Sequence, residues 1–135
     1  IEAVGFHPLG NLAVSVSMDG HAIIYDSHSS FTPRHNILTS NLFDNYTPDD
    51  TEIDGFTMAK WLAAMPNGPA LENSLSFGLL LGTAKGRLAV VEARSGLQLR
   101  RFRGRPGRPV LDASVSSTGI LAVAFDDGII SLYQL

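Results

Sequence analysis

The sequence predicts an all-β fold in which one unit of short antiparallel strands is written three times. Three observations carry that prediction. The phrase Asp-Gly, a short apolar run and a tyrosine occurs in "SMDGHAIIYDS" and again in the closing "FDDGIISLYQL". Around these, "FHPLGNLAVSVSMDGHAIIYD" aligns with "VSSTGILAVAFDDGIISLYQL", placing Gly10 on Gly119, Leu12-Ala13-Val14 on Leu121-Ala122-Val123 and Tyr25 on Tyr133. A third copy, "FGLLLGTAKGRLAVVEARSG", puts Gly86 where the others have Gly20 and Gly128. Gly86 and Gly128 stand 42 residues apart, inside the ~40–45 residue period of propeller blades. Gly20 and Gly86 stand 66 apart, so the first unit carries about two dozen extra residues beyond that period. The expected fold is an antiparallel β-propeller segment of about three four-stranded blades, the last one incomplete.

Each element has a local reason. Blade 1, about residues 1–40, is read as strands near 1–6, 11–17, 21–26 and 35–40. An insertion of about 41–55 follows, within a longer polar and acidic interruption of 27–55. Blade 2, about 56–103, is read as strands at 56–62, 75–82, 87–92 and 97–103. Blade 3, about 110–135, has strands at 110–115, 120–125 and 129–134, and then the chain stops. Apolar and small residues fill 11–17, 75–82 and 120–125, while β-branched and aromatic ones fill 22–25 and 129–133, as strands prefer. Asp19-Gly20, Lys85-Gly86 and Asp127-Gly128 supply the positive φ of tight hairpins, and Ser95-Gly96 makes another turn. No segment carries a useful helical period. Leu12, Val14, Leu80, Leu88, Val90, Leu121 and Val123 recur at matching positions and are the expected core, with Trp61 beside it on the first strand of blade 2.

Composition agrees with a folded domain. Of 135 residues, 44% are hydrophobic and 17% charged, which excludes a disordered polyelectrolyte. No run approaches the roughly 20 apolar residues of a membrane-spanning helix. With no cysteine, disulfides and thiolate metal sites are excluded. The opening "IEAVGFHPLG" has neither an initiator Met nor a basic signal-peptide start. Three blades do not close a ring of 4–8, so a segment of a larger propeller is expected. The net charge of −3 hides a division: residues 85–108 hold eight basic residues and Glu92, a balance of +7, leaving −10 for the remainder.

With these residues in view, each unit resembles a WD40 repeat, most clearly "FHPLGNLAVSVSMDGHAIIYD". In that family an aromatic-Ser-Pro-Asp-Gly turn joins the first two strands, and Phe6-His7-Pro8-Leu9-Gly10 occupies that place here. The closing Trp-Asp dipeptide of the family corresponds to Tyr25-Asp26, Val91-Glu92 and Tyr133-Gln134. Gly104-Arg105 stands where a Gly-His pair would fall, so the family's Asp-His-Ser/Thr-Trp hydrogen-bond network is not carried over to any unit. The resemblance implies a non-catalytic protein-interaction scaffold in a larger cytoplasmic assembly, with other protein subunits as partners.

The motifs of catalysis and cofactor binding do not hold up. "DDTEIDG" places Asp50, Glu52 and Asp54 at alternate positions like the start of a calcium loop, but the twelfth position is Trp61. A solvated acidic loop accounts for it. In "GLLLGTAKG" the lysine precedes its glycine and no helix follows, which a hairpin turn explains and a P-loop does not. His7, His21, His28 and His35 lack metal-ligand spacing, and no Gly-x-Ser-x-Gly occurs. Asn45-Tyr46-Thr47 is formally a glycosylation sequon without any secretory context. No enzyme activity, cofactor or metal is expected.

Two features exceed the scaffold. Leu42, Phe43 and Tyr46 lie in the interruption and are expected to anchor a neighbouring subunit, because aromatic side chains dominate interface energetics. "RRFRGRPGR" gathers Arg100, Arg101, Arg103, Arg105 and Arg108 in nine residues. Strand alternation puts Arg101 and Arg103 on one face and Phe102 on the other. Guanidinium forks suit carboxylates and phosphates. An acidic protein surface is the expected contact, with phosphoinositide or nucleic-acid phosphate as the alternative. Phe102-Arg103-Gly104 partly resembles the Phe/Leu-Arg-Arg-Gly motif of phosphoinositide-binding propellers, which would add a location at the periphery of a membrane. The acidic stretch 49–54 is the competing source of counter-charge within the chain.

Overall fold

A computed structural model describes residues 1–43, 53–62 and 77–135. It contains three antiparallel sheets whose strands pair in chain order. The first sheet is β1 (Ala3–Phe6), β2 (Leu12–Val16), β3 (His21–Asp26) and β4 (Thr32–Leu38). A single helical turn, α1 (Thr39–Leu42), follows it. The second sheet is β5 (Phe56–Trp61), β6 (Gly78–Thr83), β7 (Leu88–Glu92) and β8 (Leu97–Phe102). The third has β9 (Val110–Val115), β10 (Ile120–Phe125) and β11 (Ile130–Gln134). The first strands β1, β5 and β9 lie beside one another in succession, so the sheets stack like blades around an axis. This is a propeller segment with an incomplete last blade, as the repeats predict.

One strand sits apart from its predicted place. β4 spans Thr32–Leu38 rather than 35–40. Asp26 ends β3 and accepts a hydrogen bond from the His28 backbone N–H at 2.9 Å, capping a 3-10 turn at Ser27–Ser29. Ser30 and Phe31 then take φ of 56° and 57°. That left-handed pair reverses the chain early, so the outer strand begins three residues sooner than the apolar pattern suggests.

Two cores hold the stack together. Leu12, Val14, Val16 and Ile24 of the first sheet meet Leu79, Leu81, Ala89 and Val91 of the second. Leu80, Leu88 and Val90, on the opposite face of that second sheet, meet Val110, Leu121, Val123 and Phe125 of the third. All seven residues predicted from the repeat are buried. The central sheet is covered on both faces, so all six residues of β6 are buried and its sequence reads as an unbroken run, GLLLGT. β10, covered on one face, alternates: Leu121, Val123 and Phe125 are buried between more exposed neighbours. Gly82 lets the third sheet approach, since a Cβ there would overlap Val110. Trp61 packs beside the first core and donates from Nε1 to the Gly5 carbonyl at 3.2 Å. It also meets the buried His7 ring edge-on at 5.1 Å.

Asp26 and Glu92, matched by the repeat, do the same work at the ends of β3 and β7. Asp26 receives the His28 N–H and the Arg34 guanidinium (3.0 Å). Glu92 receives the N–H groups of Arg94 and Ser95 at 3.2 and 2.9 Å and the Arg94 Nε at 2.8 Å. Burial raises the Glu92 carboxyl, but hydrogen bonds from Arg94 and Ser95 outweigh it and bring the pKa from 4.5 to about 2.

Two outcomes are expected. Leu80→Ala should cost about 2–5 kcal/mol in urea unfolding, because it opens a cavity in the second core. Leu132→Ala, at a side chain 69% exposed, should stay within about 0.5 kcal/mol. For Glu92 the folded pKa lies below the unfolded one, so its stabilisation is complete above about 4.5 and is lost as pH falls toward 2. Glu92→Gln should therefore lower stability at pH 7 by about 1–2 kcal/mol, with the difference closing in melts taken toward pH 2.

Candidate functional site

In each sheet the second and third strands are joined by a turn, and in the two four-stranded sheets the fourth strand leads by a link to the next sheet. Antiparallel pairing puts these turns and links at the same end of the blades. The turns run through Gly20, Gly86 and Gly128, all at φ near +80° (84°, 82° and 79°). Backbone bonds tie them to the links: Thr39 N–H to Gly20 O (3.1 Å), Ala84 N–H to Gly55 O (2.9 Å), Gly107 N–H to Lys85 O (3.0 Å) and Asp126 N–H to Pro109 O (3.1 Å). Turn and link are pressed so closely that a Cβ on Gly86 would overlap the Arg105 carbonyl, and one on Gly104 the Gly86 carbonyl.

Beside this contact opens a cleft of about 640 Å³ lined by Phe43, Lys85–Arg87, Arg101–Gly104, Pro106 and Gly107. That volume is within the range of natural ligand and side-chain pockets. Phe43 and Phe102 make its apolar part, and Lys85, Arg87, Arg101 and Arg103 its cationic part. Phe102 lines the cleft together with Arg101 and Arg103, although it also packs against the second core. The Arg87 guanidinium lies over the Phe43 ring at 5.6 Å and 3.8 Å from the Asp54 carboxylate.

The five arginines of the run divide. Arg101 and Arg103 are exposed on the cleft. With its amide oriented to satisfy both neighbours, Gln98 accepts from Arg101 Nε at 3.0 Å and donates to Leu42 O at 3.2 Å. Arg103 has no carboxylate within ion-pair distance among the described residues. Arg105 is committed to the fold: Nε and Nη2 grip Asp127 Oδ2, at 3.0 and 2.6 Å, locking the link to the last turn of the third sheet. Those hydrogen bonds hold the Asp127 carboxyl below its ordinary range. Arg100 lies over Phe102 at 4.8 Å and donates to the Gln134 carbonyl (3.1 Å). Arg108 is exposed and away from the cleft lining.

Leu42 and Phe43 are 4% and 6% exposed, packed into this chain's own first core by the turn of α1. Burial leaves Leu42 no surface for a neighbouring subunit, while Phe43 shows an edge to the cleft. Tyr46 and the sequon, with Asp50 and Glu52, lie outside the described residues. Asp54 is not a solvated loop residue. It is fully buried, and its Oδ1 accepts the Lys85 N–H at 2.9 Å. Sequence spacing could not show this, because Asp54 in the link and Lys85 in a turn of the second sheet stand 31 positions apart. Asp19 and Asp127 cap their own turns through the His21 and Ile129 N–H groups; Lys85 cannot, and the corresponding Arg87 N–H goes to the Thr83 hydroxyl at 3.1 Å. Among the described residues no group of three or more His, Cys, Asp or Glu could hold a metal ion, and no helix is long and apolar enough to cross a membrane.

The fold has close counterparts among solved structures. Sqt1 of Chaetomium thermophilum, bound to the N-terminus of ribosomal protein L10, superposes with a TM-score of 0.78 at 18% identity. The match covers 100% of this chain and 32% of that one. A second structure of Sqt1 gives 0.76 at 17% identity over 100% of this chain and 34% of the other. At this identity the likeness is one of fold, and the chain spans about a third of the length of its counterpart. No family model matches the sequence, and no curated protein matches it.

The tight contact predicts a contrast between two glycines at positive φ. Gly86→Ala should cost about 2–4 kcal/mol, combining strain with overlap on the link. Gly107→Ala, where nothing lies within 4 Å of the added carbon, should cost only about 1–2 kcal/mol of left-handed strain. Chemical denaturation of both variants checks the difference.

Proposed function

We propose that this chain is a WD40-like segment of a larger propeller and serves as a protein-interaction scaffold without catalytic activity. The single observation that carries the proposal is the cleft at the turn-and-link end, where an aromatic floor adjoins exposed guanidinium groups. Aromatic and arginine side chains around a desolvated pocket are the composition of binding hot spots. The three repeats and the fold shared with Sqt1, which was solved with a segment of another protein bound, support the same reading. Arg101 and Arg103 are the contact residues of this scaffold, with the edge of Phe43 beside them. Arg105, spent on Asp127, is a structural residue.

A photocrosslinking residue placed at Pro106, on the cleft, should capture a discrete protein partner in cells. One placed at Thr118, in the turn at the opposite end of the third sheet, should not. Arg101→Ala with Arg103→Ala should weaken capture at low salt and flatten its salt dependence while leaving the melt unchanged, since exposed charges contribute little to folding. Equal capture at both ends, or recovery of nucleic acid or anionic lipid instead of protein, would count against the scaffold.

A further inference from the structure

We infer that Thr32 is a phosphorylation site for a proline-directed serine/threonine kinase, and that the phosphate loosens the outer strand of the first sheet. The site lies apart from the cleft and does not depend on it. Of the seven prolines, only Pro33 and Pro48 follow a serine or threonine, and Thr32-Pro33 is the pair within the described residues. Proline carries no N–H. A kinase pocket that offers no acceptor to the residue after its target therefore selects proline, since any other residue would bury an unpaired donor there. Such a kinase binds its substrate as an extended chain. Thr32 opens β4, an extended segment at the outer edge of its sheet. Thr32, Pro33 and Arg34 are all exposed, and among the described residues no hydrogen bond occupies the Thr32 hydroxyl.

The segment is also weakly held. Ser30 and Phe31, directly before it, take left-handed φ of 56° and 57°, a conformation that costs energy in residues with a side chain. Arg34 is the extra residue of a β-bulge, because His35 pairs with Ile24 and Pro33 with Tyr25. Asp26 lies directly across from Thr32, and side chains so placed stand about 4.5–5.5 Å apart at Cβ. Asp26 holds this corner together. Its carboxylate accepts the His28 N–H at 2.9 Å and the Arg34 guanidinium at 3.0 Å, and its carbonyl accepts the Phe31 N–H at 2.8 Å.

The kinase transfers the γ-phosphoryl group of ATP to the Thr32 Oγ1. The hydroxyl proton passes to the kinase's base and ADP leaves. A charge of about −2 then stands opposite the Asp26 carboxylate. The dianion is the stronger partner for a guanidinium, so Arg34 leaves Asp26 for the phosphate. Like charges directly across two strands repel, and the turn opens. Phe31, whose ring meets Phe6 edge-on at 5.8 Å, is released with it.

The test uses the intact protein carrying Thr47→Val, so that Thr47-Pro48 takes no label, and a peptide of residues 28–38. Incubation with a proline-directed kinase and ATP, read by mass spectrometry, should place phosphate on Thr32 in both. Pro33→Ala should slow labelling of both about ten-fold or more, the cost of one unpaired donor. In the phosphorylated protein the His28 and Phe31 amides should exchange with deuterium about ten-fold or more faster, while those of Leu80 and Val90 stay unchanged. With Asp26→Asn, which keeps an acceptor and drops the charge, phosphorylation should alter these rates by less than about two-fold. Melts of the unmodified variants that match the parent show that they are folded. The inference is overturned by a peptide that takes no phosphate, by phosphate on the peptide and none on the protein, or by equal labelling of the Pro33→Ala peptide. Exchange that is unchanged or slowed after stoichiometric phosphorylation would equally overturn it.

Discussion

The close approach of each strand-joining turn to the link that enters the next blade is the constraint on which the rest of this structure depends. Two sheets packed face to face through apolar side chains are free to slide, because burial is non-directional. Backbone hydrogen bonds remove that freedom. Phe56 N–H to Ser17 O joins the first blade to the second, and Gly107 N–H to Lys85 O joins the second to the link that enters the third. Each contact needs glycine. A Cβ at Gly55 would overlap the Met18 backbone, and one at Gly104 the Gly86 carbonyl. The Thr57 hydroxyl adds a bond to the Val110 carbonyl at 2.6 Å, so first strands of adjacent blades are registered as well.

Much of this was legible in the sequence because the repeat fixes both strand order and face. Gly20, Gly86 and Gly128 mark the same turn, and residues two apart around them share a face. The buried set follows from that phase alone. The outer strand of the first blade was less legible, since its start depends on the left-handed pair Ser30 and Phe31, neither of them a residue that advertises positive φ. The arginine run was legible as composition and not as geometry. Only the folded chain brings Asp127 to Arg105 and gathers Phe102 with Arg101 and Arg103 on one cleft. Asp54 was misread for the same reason: its partner lies 31 positions further on, in a turn of the sheet that the link enters.

Repetition also shows which positions are free to specialise. Tyr25 and Tyr133 match in the alignment but serve different partners: Tyr25 bonds Ser15 at 3.0 Å within its sheet, and Tyr133 donates to the Arg103 carbonyl at 2.8 Å. Asp26 and Glu92 keep one role despite differing by a methylene, because each carboxylate reaches the N–H groups of the turn that follows it. The architecture tolerates such changes where a carboxylate or hydroxyl still finds a backbone partner.

The second turn departs from its siblings in a way that joins fold to function. Asp19 and Asp127 satisfy their turns locally, which leaves those turns acidic. With Lys85 in that position, the corresponding Arg87 N–H goes to the Thr83 hydroxyl at 3.1 Å, while Asp54 of the preceding link accepts the Lys85 N–H itself. The second turn therefore puts a positive charge at the mouth of the cleft, with the Asp54 carboxylate buried in the seam beside it. Arg87, held between that buried carboxylate and the Phe43 ring, extends the cationic wall. Arg105 meanwhile neutralises the acidic turn of the third blade, so its charge is withdrawn from the surface. Arg101 and Arg103 lie exposed on the same cleft as Phe43 and Phe102. The buried carboxylate of the seam and the cations of the cleft therefore meet at one turn, and the seam and the cleft cannot be altered independently.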